Sequence, residues 1–147
     1  MVGQFLEPVG SAIVFHARHH GRVSEPGRRR RLEMILDRDG PTCVWCGRDV
    51  DTDLVAATTE HVVPRLKGGP SWIENEVAAC KRCNGERGHR TLTDWADQCE
   101  TRGWHPDRRR LVRSLESLQR RIAEEGGQRK ARPYIASQLR RLRRQVG

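Results

Sequence analysis

Apolar residues recur with the period of an α-helix along several stretches of this chain, and two short stretches have the composition of β-strands. The first predicted helix begins near Glu25, and the pair Gly40-Pro41 ends it. Its apolar face consists of Leu32, Ile35 and Leu36. Strands are predicted over 54–63 and 72–79, and further helices over 80–88, 92–103, 107–125 and 133–146.

The helices after the second strand carry the clearest periodicity. For the helix over 92–103, Thr93 is the predicted cap and Trp95 is placed to dock it on a core. The last two helices have apolar stripes with arginines elsewhere, and Pro133 can open the final one. These stripes are Leu111, Val112, Leu115, Leu118 and Ile122, then Ile135, Leu139, Leu142 and Val146. Such a pair of helices predicts a hairpin or a homodimer surface.

The order of elements predicts an α+β fold in three parts. A loosely ordered arm is expected over 1–24, a central domain over 25–103, and a basic helical extension over 104–147. His16, His19 and His20 fall in the arm, where a solvated cluster is favoured over a second metal site. The central domain is a strand, a loop, a strand and a helix, with a cysteine pair before the first strand and another at the strand–helix junction.

Composition indicates that this domain needs reinforcement. The 147 residues are 35% apolar and 5% aromatic, which is little for a core without a disulfide or a metal. Four of the five cysteines form two CxxC pairs, Cys43 with Cys46 and Cys80 with Cys83. Two such pairs complete the tetrahedral shell of a structural Zn²⁺, with a redox-active or incidental pair as the alternative. Cys99 is expected to be a packed free thiol.

The excess of positive over negative charge lies in the last third of the chain. Residues 1–101 contain 14 basic and 15 acidic side chains, whereas residues 102–147 contain 14 and 4, giving +9 overall. Arginine accounts for 25 of the 28 basic residues. Its planar fork suits phosphate groups, and a GC-rich genome, which also enriches arginine over lysine, is the alternative cause. A partner rich in phosphate, such as nucleic acid, would explain this distribution, and a solvated amphipathic hairpin is the alternative.

Nothing in the sequence predicts a membrane partner. The chain has no run of about 18 apolar residues that could span a bilayer. The short apolar stretch near the start follows Glu7 and has no basic segment before it, so a signal peptide is not expected. Clustered cysteines in a cytoplasmic protein indicate metal rather than disulfides, and we expect a cytoplasmic location.

The segment EHVVPRLKGG places the acid Glu60 beside His61 at the end of the first strand. Taken alone, the pair is ambiguous between a metal ligand beside a general base and two ordinary polar residues. The zinc centre would bring it close to the segment that begins Cys83-Asn84, because the metal joins the loop before one strand to the helix after the other.

With these elements in order, residues 43–91 resemble the HNH endonuclease family with a zinc-binding cysteine quartet. The shared pattern is C-x2-C, EHVVPRLKGG, an Asn five residues before CKRC, and N-x2-R-G-x2-T. The resemblance implies a ββα-metal core, supported by structural zinc and flanked by the predicted helices. It also implies cleavage of nucleic acid with a divalent ion.

The resemblance assigns a role to each matching residue. Glu60 and Asn84 would hold the catalytic ion, His61 would be the general base that activates water, and Asn75 would orient that base or steady its loop. We expect Mg²⁺ or Mn²⁺, since a carboxylate and an amide oxygen suit a hard cation. Many relatives have Asp in place of Glu60 and Lys in place of Arg87. His89 could be a third ligand or a phosphate contact, with a surface role favoured.

A metal-dependent HNH endonuclease, a phosphodiester hydrolase acting on DNA in preference to RNA, is therefore the first functional hypothesis. Five basic residues near the site are candidate nucleic-acid contacts: Arg65, Lys67, Arg82, Arg87 and Arg90. The second hypothesis is a zinc-stabilised module that binds nucleic acid without cutting it. A weaker third is a protein-interaction domain that uses the C-terminal helices.

Overall fold

The computed structural model describes residues 24–146 and confirms the α+β fold. The predicted arm and its three histidines lie outside the described residues, apart from Ser24. The helices are α1 (Arg28–Asp39), α2 (Lys81–Arg87), α3 (Leu92–Thr101), α4 (Arg108–Glu125) and α5 (Ala131–Val146). The strands are β1 (Ala57–His61) and β2 (Glu76–Cys80), and short 3-10 turns occupy Arg65–Lys67 and Ile73–Asn75.

The two strands form an antiparallel pair that is shorter than the sequence predicts. Glu60 lies opposite Val77, and His61 lies opposite Glu76. Because side chains alternate between the faces of a strand, Glu60 and His61 project to opposite sides of the pair. Every residue of β2 is buried, which explains why its sequence lacks the polar alternation of a half-exposed strand.

Helices cover both faces of this small sheet. On one face, α1 is attached through Arg28 Nε to Thr59 Oγ1 at 3.3 Å and through Arg31 Nε to Glu76 Oε1 at 2.6 Å. On the other face, α2 contacts β1 through Asn84. Arg31 is the last of four consecutive arginines at the start of α1, residues 28–31, and it is buried and paired with an acid inside the protein.

The C-terminal helices pack on each other and on the domain, as a hairpin would. The stripe positions Leu111, Leu115 and Leu118 of α4 are fully buried. Leu139 and Leu142 of α5 are also buried. Burial of both stripes within one chain gives these helices an intramolecular partner, while the homodimer stays a prediction.

The start of α3 differs from the prediction. Thr91, not Thr93, is the cap, and its side-chain oxygen accepts a hydrogen bond from Asp94 N at 3.2 Å. Thr93 instead lies inside the helix, fully buried, where its hydroxyl donates to Gln138 Oε1 at 2.8 Å. Trp95 is buried in the core as expected. None of the helices within residues 24–146 has both the length and the apolar character needed to cross a bilayer.

Candidate active site

The four cysteines of the two CxxC pairs converge on one point. Their sulfur atoms all lie within 4.8 Å of one another, and none forms a disulfide. A tetrahedral Zn²⁺ with bonds of about 2.3 Å has sulfur–sulfur edges of about 3.8 Å, close to the 4.0 Å between the Cys46 and Cys80 sulfurs. Three of the four cysteines are buried, so the cluster fits a closed structural zinc site.

Local hydrogen bonds form this cluster from two short turns. Gly47 N donates to Cys43 O at 2.9 Å, and the positive φ of 76° at Gly47 lets the chain close that turn. Val44 N donates to Ala78 O at 3.0 Å, which attaches the first turn to β2. Cys80 ends β2 and Cys83 lies in the first turn of α2. The neighbouring Cys83 thiol lowers the pKa of Cys43, which favours the thiolate form that binds zinc.

The loop after β1 is held by Asn75, which is fully buried. Its Oδ1 accepts from Val63 N at 2.8 Å, and its Nδ2 donates to Val63 O at 3.0 Å and to Pro70 O at 2.9 Å. A side chain at Gly69 would place its Cβ 1.8 Å from Val63 O, so only glycine fits this close approach. Asn75 therefore fixes the loop that follows His61, and it makes no hydrogen bond to the imidazole itself among the described residues.

His61 is half-buried at the end of β1. Its Nε2 lies 3.2 Å from Ser71 Oγ, and Arg65 Nη2 donates to the same hydroxyl at 3.2 Å. Burial lowers the pKa of His61, and the nearby charge of Arg65 acts in the same direction. Arg31 and Arg28 add to this effect, while Glu76 opposes it. The imidazole is thus favoured in its neutral form, which can accept a proton.

Glu60 lies on the opposite face of β1 and is buried. Its Oε1 accepts from Arg87 Nη1 at 2.7 Å, and its Oε2 accepts from Trp45 Nε1 at 3.2 Å. Burial raises the pKa of Glu60, against the lowering effect of Arg87. An ionised carboxylate has about four acceptor positions, so these two hydrogen bonds leave acceptor capacity on each oxygen.

Asn84 approaches β1 from α2. Its Nδ2 donates to Thr58 Oγ1 and to Thr59 O, both at 3.1 Å. This arrangement uses the nitrogen side of the carboxamide and leaves Oδ1 without a hydrogen bond among the described residues. Glu60, His61 and Asn84 all line a single cleft of about 180 Å³, together with Arg65 and Arg87. The structure therefore brings the three predicted residues of the site to one opening.

The five basic residues near the site have different surroundings. Arg65 and Lys67 are exposed on the loop after β1, and Arg90 is exposed after α2. Arg82 is exposed, with its guanidinium 4.3 Å from the Trp104 ring and 3.8 Å from the Cys83 sulfur. Arg87 is buried, and its guanidinium donates to Glu60, to the His61 carbonyl and to the Val62 carbonyl. His89 is exposed and does not line the cleft.

Several contacts of the site were not predicted from the sequence. Ser71 touches His61, Trp45 touches Glu60, and Glu76 lies opposite His61 in the sheet. The hydroxyl of Tyr134 in α5 lies 3.4 Å from Arg87 Nη2, so the C-terminal extension reaches the group that holds Glu60. The Ser71 contact depends on the loop conformation and the others on long-range packing, which short sequence patterns do not show.

Comparison with known proteins shows a match to one protein family and similarity to one longer protein. Residues 43–99 match the family described as HNH endonuclease. Over 87 residues the chain is 26% identical to a protein of Corynebacterium diphtheriae named CRISPR-associated endonuclease Cas9, covering 56% of this chain. The matched region is 8% of that much longer relative. No solved structure gives a significant match.

Proposed function

We propose that this protein is a metal-dependent endonuclease that hydrolyses phosphodiester bonds in nucleic acid, because its residues 43–99 match the family described as HNH endonuclease. DNA is the substrate we propose first, ahead of RNA. The observation that carries the proposal is the cleft shared by Glu60, His61 and Asn84. The four-cysteine cluster supports the two segments that supply these residues, and it has no open position for chemistry.

In this proposal His61 is the general base. We assign to His61 the tautomer in which Nε2–H donates to Ser71 Oγ, and Nδ1 is then the nitrogen that accepts a proton from water. Arg65 shares the Ser71 hydroxyl and helps to fix its position. The lowered pKa of His61 keeps the ring neutral at physiological pH, which is the form that a base requires.

Glu60 and Asn84 are the proposed holders of a divalent cation, Mg²⁺ or Mn²⁺. The set fits a hard cation, since an amide oxygen without a hydrogen bond and a carboxylate with spare acceptor positions line the same cleft. When bound, such a cation supplies Lewis acidity to the phosphoryl group. Arg87 holds the carboxylate in place, and Asn75 keeps the loop after His61 in a fixed conformation. Exposed Arg65 and Lys67 are the proposed phosphate contacts on that loop.

The salt bridge between Glu60 and Arg87 also favours a second candidate function. In this second candidate, the hydrogen bonds that Arg87 and Trp45 make to the two oxygens of Glu60 weaken cation binding too far for catalysis. The protein would then be a zinc-stabilised module that binds nucleic acid without cutting it. The cysteine cluster and the basic surface are the same in the two candidates, so only activity separates them.

The test is a plasmid-nicking assay on the zinc-loaded protein in Mg²⁺, in Mn²⁺ and in EDTA. EDTA would be added briefly and zinc content measured afterwards, so that loss of activity reports the catalytic ion and not the structural one. We expect conversion of supercoiled plasmid to nicked or linear forms with either divalent ion, and none in EDTA. Binding of plasmid without cleavage under every condition would reject the endonuclease in favour of the binding module.

A further inference from the structure

A second cleft lies away from the candidate active site, between the end of α1 and the middle of α4. Its volume is about 270 Å³, and four arginines line it: Arg38, Arg110, Arg113 and Arg120. The hydroxyl groups of Ser114 and Ser117 belong to the same lining. None of these residues lines the cleft that contains His61.

The acids of this cleft are already paired, which leaves an excess of positive charge. Asp39 pairs with Arg38 at 2.6 Å, and Glu116 pairs with Arg143 at 3.4 Å. Arg113 and Arg120 are exposed, and within residues 24–146 neither has a salt-bridge partner. Two guanidinium groups are therefore available to an anion from outside the protein.

The spacing of these groups matches an extended anion rather than a single small one. Arg113, Ser117 and Arg120 occupy positions i, i+4 and i+7 of α4, so they share one face of the helix. Seven residues of helix rise about 10 Å. One strand of a duplex presents a phosphate about every 3.4 Å along its axis, so this interval covers about three phosphates.

Hydrogen bonds to backbone carbonyl groups hold two of the cleft arginines, Arg38 and Arg110, in place. Arg38 Nη1 donates to Ile73 O and Nη2 donates to Glu76 O, each at 2.8 Å. Arg110 Nη1 donates to Thr42 O at 2.9 Å. The two bonds of Arg38 attach the cleft to the 3-10 turn that contains Asn75 and to the start of β2, and the bond of Arg110 attaches it to the segment after α1. The 3-10 turn and β2 therefore support both the cleft and the candidate active site.

From these observations we propose that the arginine cleft between α1 and α4 binds the phosphate backbone of the nucleic acid that the active site cleaves. Arg28, at the other end of α1, contacts Thr59 beside the active-site cleft. Arg38 lies ten residues after Arg28, a helical rise of about 15 Å, which equals about four base pairs of a duplex. A duplex lying along α1 reaches both sites. The inference rests on the proposed function for the identity of the ligand, and arginine forks suit phosphate oxygens.

The test compares two double variants with the same change in charge. Arg113→Ala with Arg120→Ala removes the two free groups of the cleft. The control, Arg140→Ala with Arg144→Ala, removes two exposed arginines of α5 that have no salt-bridge partner in the described part of the chain. Affinity for a labelled 20-base-pair duplex is measured by fluorescence anisotropy over a range of salt concentrations, without a divalent ion so that no cleavage occurs.

Counterion release sets the expected size of the effect. The logarithm of the affinity falls as the logarithm of the salt concentration rises, and each lost phosphate contact makes this slope less steep by about 0.9. The cleft variant should therefore have a slope less steep than that of wild type by about 1.8. At 0.15 M salt this corresponds to binding about thirtyfold weaker. The control should change affinity only slightly, since free surface charges beyond the contact are screened.

Equal losses of affinity in the two variants would overturn the proposal, because net charge alone would then explain binding. A polyglutamate peptide provides a further arm: loss of peptide binding with unchanged duplex binding would make the cleft a site for an acidic protein segment and would also overturn it. These readouts do not depend on catalysis. If the wild-type protein does not cleave and the cleft variant still loses duplex affinity, the proposal for the cleft is supported and the proposed endonuclease activity is rejected.

Discussion

The buried ion pair between Arg31 and Glu76 provides a sharp test of how the site is supported. Arg31 Nε lies 2.6 Å from Glu76 Oε1, and the two side chains are 9% and 0% exposed. Glu76 Oε2 has no hydrogen-bond partner in the described part of the chain. Arg31→Met would therefore leave the carboxylate buried, with no cation beside it and next to His61 in the sheet.

The expected cost follows from burial. Removing one partner of a buried pair costs about 3–5 kcal/mol, whereas replacing both partners with apolar groups is often neutral. Arg31→Met should therefore lower the free energy of unfolding by about 4 kcal/mol. Adding Glu76→Met should recover most of that loss. With a urea m-value of about 1.5 kcal/mol/M, the single variant should unfold at a urea concentration about 2–3 M lower.

The assay is urea unfolding at a fixed, saturating zinc concentration, because ligand binding changes apparent stability. Arg30→Met is the matched control, since Arg30 is the preceding residue of α1 and its pair with Glu33 is exposed, at 64% and 54%. Its effect should be about 0.5 kcal/mol or less. The reasoning is refuted if Arg31→Met behaves like Arg30→Met, or if the double variant is less stable than the single one.

Three further predictions concern other parts of the molecule. Cys80→Ser should abolish binding of one zinc per chain, measured by elemental analysis, and should shift thermal unfolding downward; full zinc content would contradict the centre. Cys99 is buried and its pKa is raised to about 12, so iodoacetamide at pH 8 should leave it unmodified in the folded protein, as mass spectrometry can show. Tyr134→Phe removes the acceptor for Leu92 N at 2.9 Å, so stability should fall by about 1–3 kcal/mol in urea unfolding, and no change would show that this bond is dispensable.

The features that the sequence predicted correctly depend on short stretches of chain. The CxxC spacing brings two thiols together in each turn, and the apolar stripes of α4 and α5 lie at helical spacing. The start of α3 shows the limit of such reasoning. Both Thr91 and Thr93 are plausible caps, and the acid three residues after Thr91 was the signal that favoured it.

The remaining features of the site depend on contacts between distant residues. Arg87 and Glu60 are 27 residues apart, and their pairing requires α2 to pack on the face of β1 opposite α1. Sequence analysis made Arg87 a candidate phosphate contact because the sequence shows its charge but not its burial. In the structure it is buried and holds Glu60. The position of Glu76 beside His61 required the strand register, which a pattern without clear alternation does not specify.

The central claim, that His61 activates water at the shared cleft, is tested most directly by single-turnover cleavage of a labelled duplex with wild type and with His61→Ala. Loss of a general base should reduce the rate by about 10²–10⁴-fold. Zinc content and the urea midpoint should remain close to those of wild type, because within residues 24–146 the imidazole makes one side-chain hydrogen bond, to Ser71. Cleavage at the wild-type rate by a zinc-loaded, folded His61→Ala protein would contradict the account.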